Sequence, residues 1–201
     1  MIVIRTIIFD YAGVITPTRN KSALAQLHHS KFGLTPDKFL DILYKDWDKA
    51  AVNEITTEEY WKRIAQKLNI GINEIRQMIM EAFPIESRII NLISKLKEEY
   101  VLIMMSNQIE DWLEEVIDDN KLRDKFDYFA NSYQVKISKP DKRIFLYALK
   151  QSQSKAEETL FIDDSEININ AASELGLETI RFENFEQFIN ELRAKLNRTE
   201  L

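Results

Sequence analysis

Four short fragments of this sequence carry reactive side chains in the order Asp10, Ser106-Asn107, Ser138-Lys139-Pro140-Asp141 and Asp163-Asp164-Ser165. Asp10 offers a nucleophilic carboxylate, one that forms an aspartyl-phosphate when it attacks a phosphoryl group. Phosphoryl transfer otherwise asks for in-line geometry and positive charge around the equatorial oxygens. The Ser106 hydroxyl, the Asn107 amide and the Lys139 ammonium supply donors of that kind. Asp163 and Asp164 are adjacent acids that repel each other unless a cation neutralises them. Mg²⁺ prefers hard oxygen ligands and keeps some of its waters, so two carboxylates, a backbone carbonyl and a substrate phosphate suit it. Each fragment alone also reads as a helix cap or a loop. Their conjunction is what argues for a site.

The elements that must position these residues alternate. Thr6-Ile7-Ile8-Phe9, Val101-Leu102-Ile103-Met104-Met105 and Leu160-Phe161-Ile162 are short apolar runs, as in strands buried on both faces of a parallel sheet. Weaker candidates are Tyr128-Phe129-Ala130 and Glu178-Thr179-Ile180-Arg181. Helical spacing fills the intervals: Ile89, Ile90, Ile93 and Leu96; Trp112, Val116 and Ile117; Ile144, Phe145, Ala148 and Leu149; Ile167, Ala171, Ala172 and Leu175, closed by Gly176; and Phe185, Phe188, Ile189 and Leu192. Strand-helix-strand alternation predicts an α/β fold with a doubly wound parallel sheet, whose ligands bind beyond the carboxyl ends of the strands.

One segment breaks the alternation. From about Thr18 to Ala82 the periodicity is helical throughout, with Leu24, Leu27 and Phe32 expected on one face and Thr56-Thr57-Glu58-Glu59 as a capping box. An interval of that length is too long for an ordinary loop and predicts a small helical domain inserted into the sheet domain.

Composition narrows the function classes. The chain has 201 residues, 45% hydrophobic and 30% charged, with a formal net charge of −6. Charges of both signs are interspersed without a Lys/Arg block, so nucleic acid is not the expected partner. Cysteine is absent, which excludes disulfides, thiolate metal sites and thiol catalysis. No apolar run approaches the length of a membrane span, and Met1-Ile2-Val3-Ile4-Arg5 lacks the layout of a signal peptide. A cytoplasmic protein acting on a small-molecule phosphate ester is expected.

Taken together, Asp10, Ser106-Asn107, Lys139-Pro140 and Asp163-Asp164 resemble the four motifs of the haloacid dehalogenase-like superfamily, over nearly the whole chain. The stretches from Lys139 to Phe145 and from Phe161 to Ala172 are particularly similar to the branch containing bacterial sugar-1-phosphate phosphatases and the phosphatase domain of soluble epoxide hydrolase. The resemblance implies a Rossmann-like core over residues 1–16 and 85–201, with residues 17–84 as a C1-type cap. It implies Asp10 as nucleophile and Mg²⁺ ligand, Ala12 as a metal ligand through its main-chain carbonyl, and Asp164 as the other direct ligand. Asp163 and Asn168 would support those ligands from behind, Ser106 and Asn107 would bind phosphate, and Lys139 would bridge phosphate and Asp10.

One position departs from the pattern. Most phosphatases of the superfamily carry a second Asp two residues after the nucleophile, as general acid and then base; here it is Ala12. Dehalogenases of the superfamily also lack it, and members of the sugar-phosphatase-like branch often have a small residue there. Three readings follow: a Mg²⁺-dependent phosphatase of a small metabolite, a catalytically weak or silent binding or regulatory protein, and a dehalogenase-type hydrolase. Retention of Asp10, Lys139 and Asp164 argues against the second, and the Asp163-Asp164 pair against the third. Glu110 and Asp111 are candidates to replace the missing acid, although the first turn of a helix favours acids in any case. Tyr11, Tyr44, Trp47, Tyr60 and Trp61 are candidate pocket residues, while adjacent His28 and His29 point to different faces of a helix.

Overall fold

The computed structural model describes residues 3–16 and 21–200, with backbone alone for residues 21–23. The expected opening of the helical insert, at residue 17, lies outside the described residues. Five parallel strands form one sheet in the order β3-β2-β1-β4-β5: β1 (Thr6–Asp10), β2 (Val101–Ser106), β3 (Tyr128–Asn131), β4 (Thr159–Asp163) and β5 (Glu178–Arg181). These are the runs that the sequence marks, each extended by a residue or two at most. The register pairs Phe9 with Met104 and Ile162, so Asp10 leaves the central strand beside the ends of β2 and β4.

Alternation along the strands sends side chains to two cores. Ile7, Phe9, Leu102, Met104, Leu160 and Ile162 face one, together with residues of α6 (Ser87–Leu96), α7 (Glu110–Asp119) and α11 (Phe185–Leu196). Ile8, Ile103, Met105 and Phe161 face the other, under α9 (Lys142–Ser152) and α10 (Glu166–Ser173). Both faces are covered, which is why the strands read as unbroken apolar runs.

The interval between β1 and β2 holds α1 (Lys21–His28), α2 (Pro36–Tyr44), α3 (Trp47–Ala51), α4 (Thr57–Leu68) and α5 (Ile72–Ala82) before α6. Thr56 caps α4 by accepting from the Glu59 N–H at 3.1 Å; the Glu59 side chain pairs with Arg63 instead of closing the box. The apolar interior of α1–α5, including Leu24, Phe39, Leu43, Tyr60 and Ile79, runs without a break into the core on the α7 face. Polar contacts reinforce the joint. Trp61 Nε1 donates to the Asp111 carboxylate at 2.9 Å, Arg76 pairs with Asp111 at 2.7 Å, and Asn53 Nδ2 donates to Glu110 at 3.0 Å.

Two core assignments fail. Leu27 is 67% exposed, because α1 buries the side marked by Leu24 and Ala25, and Leu27 lies well off its centre. Ile167 is 66% exposed. It sits about 140° around α10 from buried Ala172, counting 100° per residue. Gly176 does close that helix region, with φ +85 and its N–H donating to Ser173 O at 2.9 Å. No helix among the described residues is long and apolar enough to cross a membrane.

Candidate active site

The four fragments meet at one edge of the sheet. Asp10 closes β1, Ser106 closes β2 and Asp163 closes β4, and the Lys139 side chain reaches in from the loop before α9. Lys139 Nζ lies 2.7 Å from Asp10 Oδ1 and 2.7 Å from Asp163 Oδ2, with Met105 O at 3.4 Å. Lys139 is 5% exposed, Asp10 6%, and Asp163 is fully buried. Burial alone would push Lys139 down, but Asp10 and Asp163 outweigh it and hold its charge above the usual range. Burial pushes the Asp10 carboxyl well above the ordinary carboxylate value; Lys139 pulls it back, while Asp163 and Asp164 push it up again. A second positive charge beside the three acids would relieve that strain.

Each position has a local cause. After Asp10 the chain folds back at once: the Ile15 and Thr16 N–H groups donate to Tyr11 O, and Gly13 N donates to Thr16 O, each at 3.0 Å. Gly13 has φ +96, and a Cβ there would stand 2.5 Å from Asp164 Cγ. Glycine is therefore required twice, for the left-handed backbone and for the approach of the Asp164 carboxylate. Asp163 is occupied on all sides, accepting from Ser165 N at 2.8 Å and from Asn168 Nδ2 at 3.0 and 3.1 Å, besides its ion pair. Asn107 makes a reciprocal pair with the Lys139 main chain: its Nδ2 donates to Lys139 O and its Oδ1 accepts from Lys139 N, both at 2.9 Å. The Lys139-Pro140 bond in that loop is cis. The Asn107 amide therefore grips the lysine loop.

Oxygens of Asp10, Asp163 and Asp164 all lie within 4.8 Å of one another. The set is hard, anionic and mostly buried, the donor chemistry that Mg²⁺ takes. Beside it the Ser106 hydroxyl, fully buried, has no hydrogen-bond partner among the described residues. A buried orphan hydroxyl is a place where a ligand oxygen fits.

A cavity of about 300 Å³ opens from this edge, lined by Ala12, Asn107 and Asp164 on the sheet side. Its other walls are largely aromatic, with Tyr44, Trp47, Tyr60, Phe83 and Trp112. Three of the expected aromatics are therefore there. Trp61 and Tyr11 are not among the lining residues: Trp61 is turned to Asp111, and Tyr11 is fully buried with its ring 6.0 Å from that of Trp112. Glu110 and Asp111 do not line the cavity either, being held by Asn53, Trp61 and Arg76. Nor do the histidines; His29 Nδ1 donates to Leu34 O at 2.7 Å. Conversely, Asp48, Gln108 and Trp112 line it although their spacing gave no sign of it.

The chain is similar to known proteins over nearly its whole length. Residues 7–182 match the family model described as haloacid dehalogenase-like hydrolase. The chain is 29% identical to D-ribitol-5-phosphate phosphatase of Bacteroides thetaiotaomicron over 96% of its own length and 99% of that protein. It is 28% identical to bifunctional epoxide hydrolase 2 of Rattus norvegicus, over 56% of this chain and 21% of that one. Among solved structures, a HAD family enzyme of Bacteroides thetaiotaomicron in its magnesium complex aligns with TM-score 0.78 and 26% identity, over 94% of this chain and 98% of that one.

Proposed function

Because the chain belongs to the haloacid dehalogenase-like hydrolase family, we propose that it is a Mg²⁺-dependent phosphatase of a small, cytoplasmic phosphorylated metabolite. The observation that carries this is the cluster of Asp10, Asp163 and Asp164, the first two paired with Lys139, with the orphan Ser106 hydroxyl beside it. Asp10 and Asp164, with the Ala12 carbonyl, would hold Mg²⁺, which neutralises phosphate and carboxylate charge when bound. Asp10 attacks phosphorus and becomes an aspartyl-phosphate as the P–O bond breaks and the alkoxide leaves to take its proton from water; water then hydrolyses that acyl phosphate, releasing inorganic phosphate and freeing Asp10. Ser106 and Asn107 would hold phosphoryl oxygens, and Lys139 together with the metal's charge would hold Asp10 ionised and in line. Asp163 and Asn168 fix Lys139 from behind. Residues 17–84 act as the cap that shapes the cavity and excludes water. The relative's named substrate, a pentitol phosphate, makes polyol phosphates the first compounds to try.

The test is phosphate release across a panel of phosphorylated metabolites, with Mg²⁺ and with EDTA. Turnover is expected only with the metal, and Asp10→Asn should lower it by at least about 10³. Full activity in EDTA or in that variant would sink the mechanism. Ala12 favours a second reading, a weak or silent binding protein. That reading predicts ester and Mg²⁺ binding without turnover of any panel member.

A further inference from the structure

Two polar atoms of cavity-lining residues, Gln108 Oε1 and Trp112 Nε1, have no hydrogen-bond partner among the described residues. Both residues are nearly enclosed, 5% and 1% exposed. The neighbouring polar groups are differently placed: the Tyr60 hydroxyl donates to Leu43 O at 2.7 Å, and Asn107 is engaged with Lys139. A buried carboxamide oxygen and a buried indole N–H left unpaired both cost free energy, so their presence needs a reason.

The main chain at Gln108 and the ring of Trp112 are both anchored. Gln108 N donates to Ser132 Oγ at 3.1 Å, and that hydroxyl donates onward to Ala51 O at 2.5 Å. The Trp112 ring packs edge-on against Tyr11, Trp47 and Phe83, at centroid distances of 6.0, 6.2 and 5.9 Å. The cavity-lining residues thus bring one unpaired acceptor on an anchored main chain and one unpaired donor on a packed ring, starting two residues beyond Ser106. A hydroxyl donates once and accepts twice, so hydroxyl chemistry satisfies both atoms. An ammonium satisfies only the glutamine. A carboxylate satisfies only the tryptophan and meets Asp48 and Asp164 in the same wall.

We propose that Gln108 and Trp112 determine specificity by reading hydroxyl groups on the carbon chain of the phosphate ester, selecting neutral polyol or sugar phosphates over deoxygenated and carboxylated ones. The proposal rests on the phosphatase reading and names the residues that choose its substrate.

Binding to the Asp10→Asn protein with Mg²⁺, measured by calorimetry, separates the two. The probes are inorganic phosphate, n-propyl phosphate, glycerol 3-phosphate and 3-phosphoglycerate. Glycerol 3-phosphate is expected to bind at least about tenfold more tightly than either organic competitor, since a site built for hydroxyls is left unpaired by an analogue that lacks them. Two variants are made in that protein: Gln108→Met, which removes the carboxamide at similar length, and Trp112→Phe, which removes the indole N–H together with one ring's volume. Each should cut the glycerol-to-propyl ratio by about tenfold. Equal affinities for glycerol and propyl esters would overturn the proposal, meaning that water fills these partners. A preference that survives in both variants would overturn it too. Should a variant fail to melt cooperatively, the ester series on the parent still decides. If no phosphate species binds, inorganic phosphate included, the phosphatase reading itself falls and takes this one with it.

Discussion

The strand-end centre and the aromatic cavity share a boundary at Ala12, Asn107 and Asp164, yet they are built on opposite plans. At the strand ends the groups are engaged, the Ser106 hydroxyl excepted: Lys139 with two carboxylates, Asp163 with three residues, Asn107 with a main chain. The cavity instead has rings for walls and keeps Gln108 Oε1 and Trp112 Nε1 unpaired among the described residues. A network closed on itself holds a nucleophile in one place. Unpaired groups in an apolar wall wait for something whose shape and polarity answer them. Changes in the first region should therefore cost stability and turnover together, and changes in the second should cost discrimination.

Lys139→Ala is the harshest way to break the contrast. It leaves Asp10 and Asp163 buried beside each other with no cation, and removal of one partner from such a group typically costs about 3–5 kcal/mol. Denaturant unfolding in EDTA should show a loss of that size, together with loss of turnover. An unchanged midpoint would mean that the centre is wired more loosely than its distances indicate.

Gly13→Ala probes the same region through the backbone. The added Cβ meets Asp164, and the residue must hold φ +96, a conformation costing about 1–3 kcal/mol outside glycine. Weaker Mg²⁺ binding by calorimetry is expected alongside lower stability, because Asp164 must retreat. Retained Mg²⁺ affinity would count against Asp164 as a ligand.

Ala12→Asp sharpens the boundary between the regions. On the proposed mechanism a poor leaving group would, without an acid there, depart unprotonated or draw its proton from water, so the added carboxylate should help alkyl phosphates by about tenfold or more and p-nitrophenyl phosphate less, since positioned acids contribute most where the leaving group is basic. Steady-state kinetics on both esters decides, and equal gains would show that another group already supplies the proton.

The same contrast explains what the sequence makes legible. Strands covered on both faces read as continuous apolar runs, so the polar residues that end β1, β2 and β4 stand out against them, and the reactive centre with them. Asp163 and Asn168, two further polar residues just past β4's apolar run, are hydrogen-bonded to each other, and Asp163 pairs with Lys139. The cavity is harder. Whether Gln108 is a surface loop residue or a fixed acceptor depends on Ser132 and, through it, Ala51, which lie 24 and 81 residues from their respective partners. Helical spacing marks Tyr44, Trp47 and Trp61 alike, yet Trp61 turns to Asp111 because Arg76 brings that carboxylate within reach. Leu27 and Ile167 fail for a related reason: periodicity proposes a stripe, but the neighbours decide its centre.

Asp111 itself carries a further consequence. It stands in the first turn of α7, the helix that begins just past Ser106, Asn107 and Gln108, and it is where Trp61 of α4 and Arg76 of α5 attach. One helix start thus serves both the proposed phosphate loop and the grip on the helical block. If a phosphate ester steadies that start, the block is held more tightly. By thermodynamic reciprocity a tighter block then raises affinity for the ester by the same factor. Loosening the grip at Asp111 should be felt by the ligand without any change in a residue that touches it.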